Sequence, residues 1–203
     1  MFLSLRGVVF IRELEQRILS EGKVLPGEVL KVGSFLNQQI DPKLLKDMGD
    51  EIARLYSDDN VTKVLTIESS GIAIAFAAGL SMGVPVVFAK KHSTSNVSGD
   101  LLTAKVFSYT HQQTYDVVVS GEYITPDDNV LIVDDFLAKG NALNGLIDIV
   151  RQADAKLAGC AIAIEKGFQG GGDGLREKGI RVESLAIIEK MTDDSLEFRP
   201  QET

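Results

Sequence analysis

The feature that most constrains the fold is the stretch 130–142, VLIVDDFLAKGNA. Val130, Leu131, Ile132 and Val133 form an unbroken apolar run, the pattern of a strand covered on both faces inside a parallel sheet. Asp134 and Asp135 follow at once. Adjacent carboxylates repel each other and resist burial, which predicts that both lie at the strand's open end. After Phe136 and Leu137 comes a small-residue stretch, Ala138, Lys139, Gly140, Asn141 and Ala142, whose backbone can turn tightly and approach a ligand. Leu143, Leu146, Ile147 and Val150 then carry helical spacing. In an open α/β sheet, ligands bind beyond the carboxyl ends of the strands, and the unpaired N–H groups of a helix start suit a phosphate. The carboxylates can accept hydrogen bonds from neighbouring hydroxyls, as on a ribose. A phosphorylated sugar satisfies both halves. Neither a Walker GKS/GKT loop nor a GxGxxG dinucleotide pattern is present.

A second strand–loop–helix unit precedes this one. Residues 64–67 read as a short strand, followed by Glu68, Ser69, Ser70 and Gly71 and by a small-residue helix at 72–82 that Gly83 ends. The loop offers two hydroxyls, backbone amides and a helix start, which suits a second anion; a plain serine helix cap is the simpler alternative. Upstream, residues 1–9 read as an extension or a strand, and a helical pattern runs from Phe10 to a stop at Gly22. Residues 23–39 turn at Pro26-Gly27 and are too apolar for a solvated linker, so they should pack as a cover. Asp41-Pro42 supplies a cap and a first-turn proline for the next helix. Downstream, 84–89 is a strand, and 93–99, STSNVSG, has the composition of a mobile loop. Residues 101–109 and 115–124 read as two antiparallel strands, 156–164 as another buried strand, and 170–174 as a glycine-rich turn. Residues 181–189 read as the last strand, and 190–203 as a polar tail. His92 and His111 have no metal-ligand spacing and receive no catalytic role.

The 203 residues suit one domain. A formal net charge of −8 argues against general binding to nucleic acid or anionic membranes. Cys160 is the only cysteine and lies in an apolar run, so packing is expected of it rather than nucleophilic chemistry. No apolar run is long enough to span a bilayer, and the amino-terminal segment lacks a small-residue cleavage site, which points to a cytoplasmic protein.

The 130–142 stretch resembles the phosphoribosyl pyrophosphate (PRPP) signature of the type I phosphoribosyltransferases. It departs from that signature at Phe136, where a smaller aliphatic is common, and at Lys139, where Thr, Ser or Ala is common. VLKVGSFLNQQIDP at 29–42, TIESSGIA at 66–73, VPVVFAKKH at 84–92 and IEKGFQ at 164–169 extend the resemblance from about residue 11 onward. Together they are similar to the branch of the family that acts on xanthine in bacterial purine salvage. The resemblance implies a type I phosphoribosyltransferase fold: an α/β, mainly parallel twisted sheet flanked by helices, with an N-terminal hood and an antiparallel flexible-loop hairpin. It implies one domain over 1–203, with a hood at about 23–40 plus a C-terminal strand and a core at about 41–180. The implied activity is transfer of the 5-phosphoribosyl group from PRPP to N9 of xanthine, giving xanthosine 5′-monophosphate and pyrophosphate. Mg²⁺ would arrive with PRPP rather than occupy a dedicated protein site, and a homodimer is implied.

Residue by residue, Leu30 and Asn37 match purine-contacting positions of the hood, and Lys166 matches a further purine contact. Ala138, Lys139, Gly140, Asn141 and Ala142 match the 5′-phosphate loop. Glu68, Ser69, Ser70 and Gly71 match the pyrophosphate loop, and Asp134 and Asp135 match the ribose-binding catalytic pair. Residues 93–99 match a lid that closes over the reacting sugar. Phe136, directly after two carboxylates, can stack on the base. Two alternatives stand beside this. One is a purine salvage enzyme for adenine or for guanine and hypoxanthine. The other is a PRPP-sensing transcription regulator, disfavoured by the acidic charge and by too short a segment ahead of the hood for a DNA-binding module.

Overall fold

The apolar run at 130–133 lies in the middle of the main sheet, and the other elements are arranged around it. The computed structural model describes residues 4–91, 100–108 and 113–200. Helix α1 (Ser4–Glu21) begins well before Phe10, so residues from Ser4 onward are helix rather than an extension or strand. It stops at Gly22, whose N–H bonds the Ile18 carbonyl at 2.9 Å. The Pro26-Gly27 turn joins β1 (Lys23–Leu25) to β2 (Val29–Lys31) in an antiparallel hairpin, and a π-helical turn follows at Gly33–Asn37. This cover buries Leu30, Val32, Phe35 and Leu36 against Leu14 and Ile18 of α1 and against helix α2 (Pro42–Leu55). The Asp41 carboxylate caps α2 by accepting from the N–H groups of Lys43 and Leu44, with Pro42 at the first turn.

Strand β3 (Lys63–Ile67), helix α3 (Gly71–Met82) and strand β4 (Val86–Ala89) form the first parallel unit. Strands β5 (Leu101–Ser108) and β6 (Gln113–Ser120) pair antiparallel as a separate ribbon. The chain then returns through β7 (Asn129–Leu137), α4 (Asn141–Gln152), β8 (Lys156–Lys166), a short helix α5 (Gly171–Arg176), β9 (Val182–Met191) and β10 (Leu196–Phe198). The six-stranded sheet has the order β10-β9-β8-β7-β3-β4 and is parallel except for β10.

Two more expectations differ from the structure in the carboxyl-terminal half. The glycine-rich segment is not simply a turn, because it enters α5 at Gly171. That helix is held by Arg176, which binds Glu165 on β8 at 2.7 and 3.0 Å. The described part of 190–203 is not a free tail either. Leu196 and Phe198 pack on the core, β10 pairs back on β9, and Arg199 bonds Asp173 and Glu189.

The order of the strands places the site. After β3 the chain adds β4 on one side, then crosses to add β7, β8 and β9 on the other. The switch point therefore lies between β3 and β7, where the loops leading into α3 and α4 emerge side by side. Strand alternation sends Leu131 and Val133 into the core shared with α1, α2, α3 and the cover. Val130 and Ile132 enter the core shared with α4 and the β5–β6 ribbon. Cys160 packs in this second core, and burial pushes its thiol up to about 12, so it stays protonated. Among the described residues no helix is long and apolar enough to cross a membrane.

Candidate active site at the sheet switch point

The acidic pair is not at an open strand end. β7 continues through Leu137 because β8 is long enough to pair with it as far as Leu137↔Glu165, and Asp134 and Asp135 are each only 6% exposed. Alternation turns the two carboxylates to different neighbours. Asp135 accepts from the Asn37 amide of the cover at 3.2 Å and from the Ser70 hydroxyl at 3.0 Å. Asp134 accepts the Asp135 N–H at 2.9 Å and lines a cavity on the ribbon side. Burial, and then the negative charge of Asp135, push the Asp134 carboxyl well above the usual carboxylate range, while Lys91 pulls the other way.

The loop after β3 is built onto this pair. Ser70 stands at the start of α3, but its hydroxyl caps no backbone N–H and goes to Asp135 instead. Glu68 accepts the Lys91 N–H at 2.7 Å, and its own N–H bonds the Ala89 carbonyl at 3.0 Å. Ser69 accepts the Ile72 N–H at 3.2 Å. Gly71 is required by close approach: a Cβ there would stand 2.3 Å from Thr66 Oγ1 and 2.7 Å from Asp134 Oδ1. Any side chain at 71 would push α3 away from the carboxylate.

The loop after β7 turns through Gly140, whose φ of 82° is left-handed, into the start of α4. The Gly140 carbonyl accepts from the Asn144 side chain at 2.8 Å, and Asn141 donates its amide to the Phe107 carbonyl at 3.0 Å. Ala138 accepts the Gly171 N–H at 3.2 Å. Residues 138–142, together with Asp134 and Phe136, wall a cavity of about 200 Å³ closed on its other side by Val106, Phe107 and Tyr115. Backbone amides at a helix start beside a left-handed glycine are suited to cradle an anion.

The residues matched to a purine gather beside it. The Lys166 ammonium stands 6.0 Å from the centre of the Phe136 ring and donates to the Glu28 carbonyl at the hairpin tip, 2.6 Å away. Burial lowers the Lys166 pKa, with Glu28 opposing. Gln169 donates to the Glu28 carboxylate at 2.6 Å, clasping the tip a second time. Leu30 turns its side chain into the core, 8% exposed, so only its backbone remains available to a ligand. The 93–99 lid, His92 and His111 lie outside the described residues. Sequence reasoning gave no role to Lys91, although it lies in the VPVVFAKKH stretch, and missed Phe107, Tyr115 and the Glu28 clasp, which carry no local motif. Among the described residues no three His, Cys, Asp or Glu side chains gather as metal ligands.

Comparison with known proteins gives a consistent picture. A family model described as the phosphoribosyl transferase domain matches residues 37–179. The chain is 53% identical over 186 residues to xanthine phosphoribosyltransferase of Pseudomonas syringae pv. syringae, covering 92% of this chain and 98% of the relative. It is 50% identical over 188 residues to the protein of that name from Oceanobacillus iheyensis, covering 93% and 97%. It is also 50% identical over 193 residues to that from Lactiplantibacillus plantarum, covering 95% and 99%. Among solved structures, the Giardia lamblia APRTase complexed with 9-deazaadenine superposes with a TM-score of 0.74 at 24% identity, covering 89% of this chain and 98% of that one. Rhodothermus marinus adenine phosphoribosyltransferase gives 0.70 at 21%, covering 89% and 99%. At such identities the structural likeness carries the fold alone.

Proposed function

The chain belongs to the phosphoribosyl transferase family, and from that premise we propose that it transfers the 5-phosphoribosyl group of PRPP to N9 of xanthine, releasing pyrophosphate. The observation that carries this is one hydrogen-bonded cluster at the switch point. Asp135 ties Asn37 of the cover to Ser70 of the 68–71 loop, next to the 138–142 cradle. Base, sugar phosphate and pyrophosphate then each meet a separate wall of one site. Relatives sharing half of this chain's residues over nearly its whole length support xanthine as the base.

In this proposal the 138–142 amides hold the 5′-phosphate, Asp134 and Asp135 meet the ribose, and Glu68, Ser69, Ser70 and Gly71 hold the pyrophosphate. Positive charge developing on the sugar ring falls beside buried carboxylates that are fixed in advance. Asn37 spends one amide hydrogen on Asp135, and the other is free to donate to a xanthine oxygen. Lys166 has three hydrogens and gives one to the Glu28 carbonyl, which leaves donors for a second oxygen or N7. Phe136 supplies a face for the base. Mg²⁺ would be carried on the substrate phosphates, with Asp134 and Asp135 as the nearby carboxylates. When bound, it neutralises charge on the departing pyrophosphate. Charged phosphate substrates do not cross membranes unaided, which supports a cytoplasmic location. Phe76 and Leu80, one helical turn apart on α3, are 60% and 70% exposed, an apolar face that supports a homodimer.

Two measurements test this. With the four purines in parallel, xanthine should give the highest kcat/KM and adenine a value lower by about 100-fold or more, because adenine leaves buried donors unpaired. Adenine equal to or above xanthine rejects the base assignment. Lys166→Ala should raise the KM for xanthine about 10-fold or more, the worth of a hydrogen bond from a charged group, while moving the KM for PRPP much less. Unchanged kinetics would make Lys166 a bystander.

A further inference from the structure

The cavity beside the phosphate cradle has a wall that no sequence motif marks. Along β6, Val117 and Val119 are buried in the core shared with α4, and Tyr115 is the next residue on that same face. It therefore packs over the start of α4, where it lines the cavity opposite residues 138–142 and near Asp134. Its place is fixed by two anchors. Tyr115 pairs with Val106, which is 2% exposed, and the adjoining Phe107 carbonyl is held by the Asn141 amide at 3.0 Å. A third contact reaches the other anion loop. The Lys91 ammonium lies 5.6 Å from the centre of the Tyr115 ring, and the Lys91 N–H is held by Glu68 at 2.7 Å. The ring thus faces the 138–142 loop, and Lys91 links it to Glu68 of the other loop.

We propose that Tyr115 is a binding residue for the phosphoribosyl group, its phenol hydroxyl donating to the 5′-phosphate or sugar oxygens from the ribbon side of the cavity. This rests on the phosphoribosyl-transfer function proposed above. Tyr115 is half-buried, with its ring packed on the ribbon core and lining the same cavity as Asp134, so its polar end can serve a ligand held there while the ring stays packed. Burial, and then the charge of Asp134, raise the phenol above its ordinary value, so it keeps its proton and acts as a donor. The cavity, about 200 Å³, has room for a sugar phosphate, with Phe136 on its wall toward the base.

The test is Tyr115→Phe, which keeps the ring and its contact with Lys91 and removes only the hydroxyl. Calorimetry with ribose 5-phosphate, PRPP and pyrophosphate as separate probes gives the readout, with steady-state kinetics alongside. Ribose 5-phosphate and PRPP should both bind about 10-fold more weakly, pyrophosphate should bind as to the parent, and the KM for xanthine should stay within about twofold. Unchanged ribose 5-phosphate affinity overturns the assignment, as does equal weakening of pyrophosphate. A parent that binds ribose 5-phosphate through Tyr115 but transfers to no purine would instead overturn the proposed function and leave this binding role standing. A parent that binds neither phosphate probe overturns both.

Discussion

Asp134→Asn is expected to remove most transfer activity and, near neutral pH, to yield a protein that melts higher than its parent. The Asp134 carboxyl is 6% exposed, beside a second carboxylate, and is pushed well above the usual carboxylate range by burial and then by Asp135. It holds its proton more tightly folded than unfolded. The sign follows from linkage: the stabilising contribution of the neutral form is complete below the ordinary carboxylate range and is lost as pH rises through the raised folded value. Asparagine keeps an oxygen for the Asp135 N–H and never acquires the charge. The gain should be about 1 kcal/mol, roughly 2–4 °C for a chain of this size, and it should shrink toward zero near pH 4. Activity should fall by about 100-fold or more, because the developing positive charge loses a carboxylate fixed beside it. Calorimetric melts from pH 4 to 8, with kinetics at pH 7.5, measure both. A variant that melts no higher than the parent at pH 7.5 shows that burying this charge costs the fold nothing. A variant with parental activity removes Asp134 from the site.

Arg176→Met should lower stability by about 3–5 kcal/mol, a fall of roughly 10 °C in Tm, with weakened PRPP binding in the fraction that stays folded. Glu165 is fully buried, and Arg176 holds it through both guanidinium nitrogens at 3.0 and 2.7 Å, with the Ser184 hydroxyl as a third donor. Without Arg176 most of the compensation for that carboxylate is gone. Methionine fills space but donates nothing. The effect should reach the site because α5 backs the 138–142 loop, where the 5′-phosphate is proposed to bind. The Gly171 N–H bonds the Ala138 carbonyl, and a Cβ on Gly171 would stand only 2.7 Å from the Lys139 carbonyl carbon. Replacing both partners, Glu165→Leu with Arg176→Met, should recover most of the loss, since a buried pair is often matched by apolar residues of similar volume. Denaturant melts of parent, single and double variants measure it. A single variant melting within about a degree of the parent refutes the account, and a double variant no better than the single assigns the loss to packing.

What the sequence by itself determined is what repeats locally. The 130–133 run identified an interior strand, and the Leu143–Val150 spacing identified α4. Asp41-Pro42 identified the cap of α2, and the small residues at 138–142 identified the turn into α4. Each of these structural features, as distinct from the phosphate role proposed for 138–142, depends on neighbours a few residues away. The acidic pair shows where that logic stops. Adjacent carboxylates should avoid burial, yet the partner strand β8 is long enough to carry the ladder past them, and strand length on a neighbour is not written in the motif. The same holds for Ser70, whose hydroxyl serves Asp135 rather than a helix cap, and for Asn37, which meets Asp135 from 98 residues away. Part of the polar tail, Leu196–Phe198, became a strand because β9 offered it an open edge, and Tyr115 acquired a cavity-lining position only because the ribbon packs on α4. Periodicity is a property of the chain. Which buried polar groups find partners, and which faces end up around a cavity, is a property of the sheet order that brings β3 and β7 together.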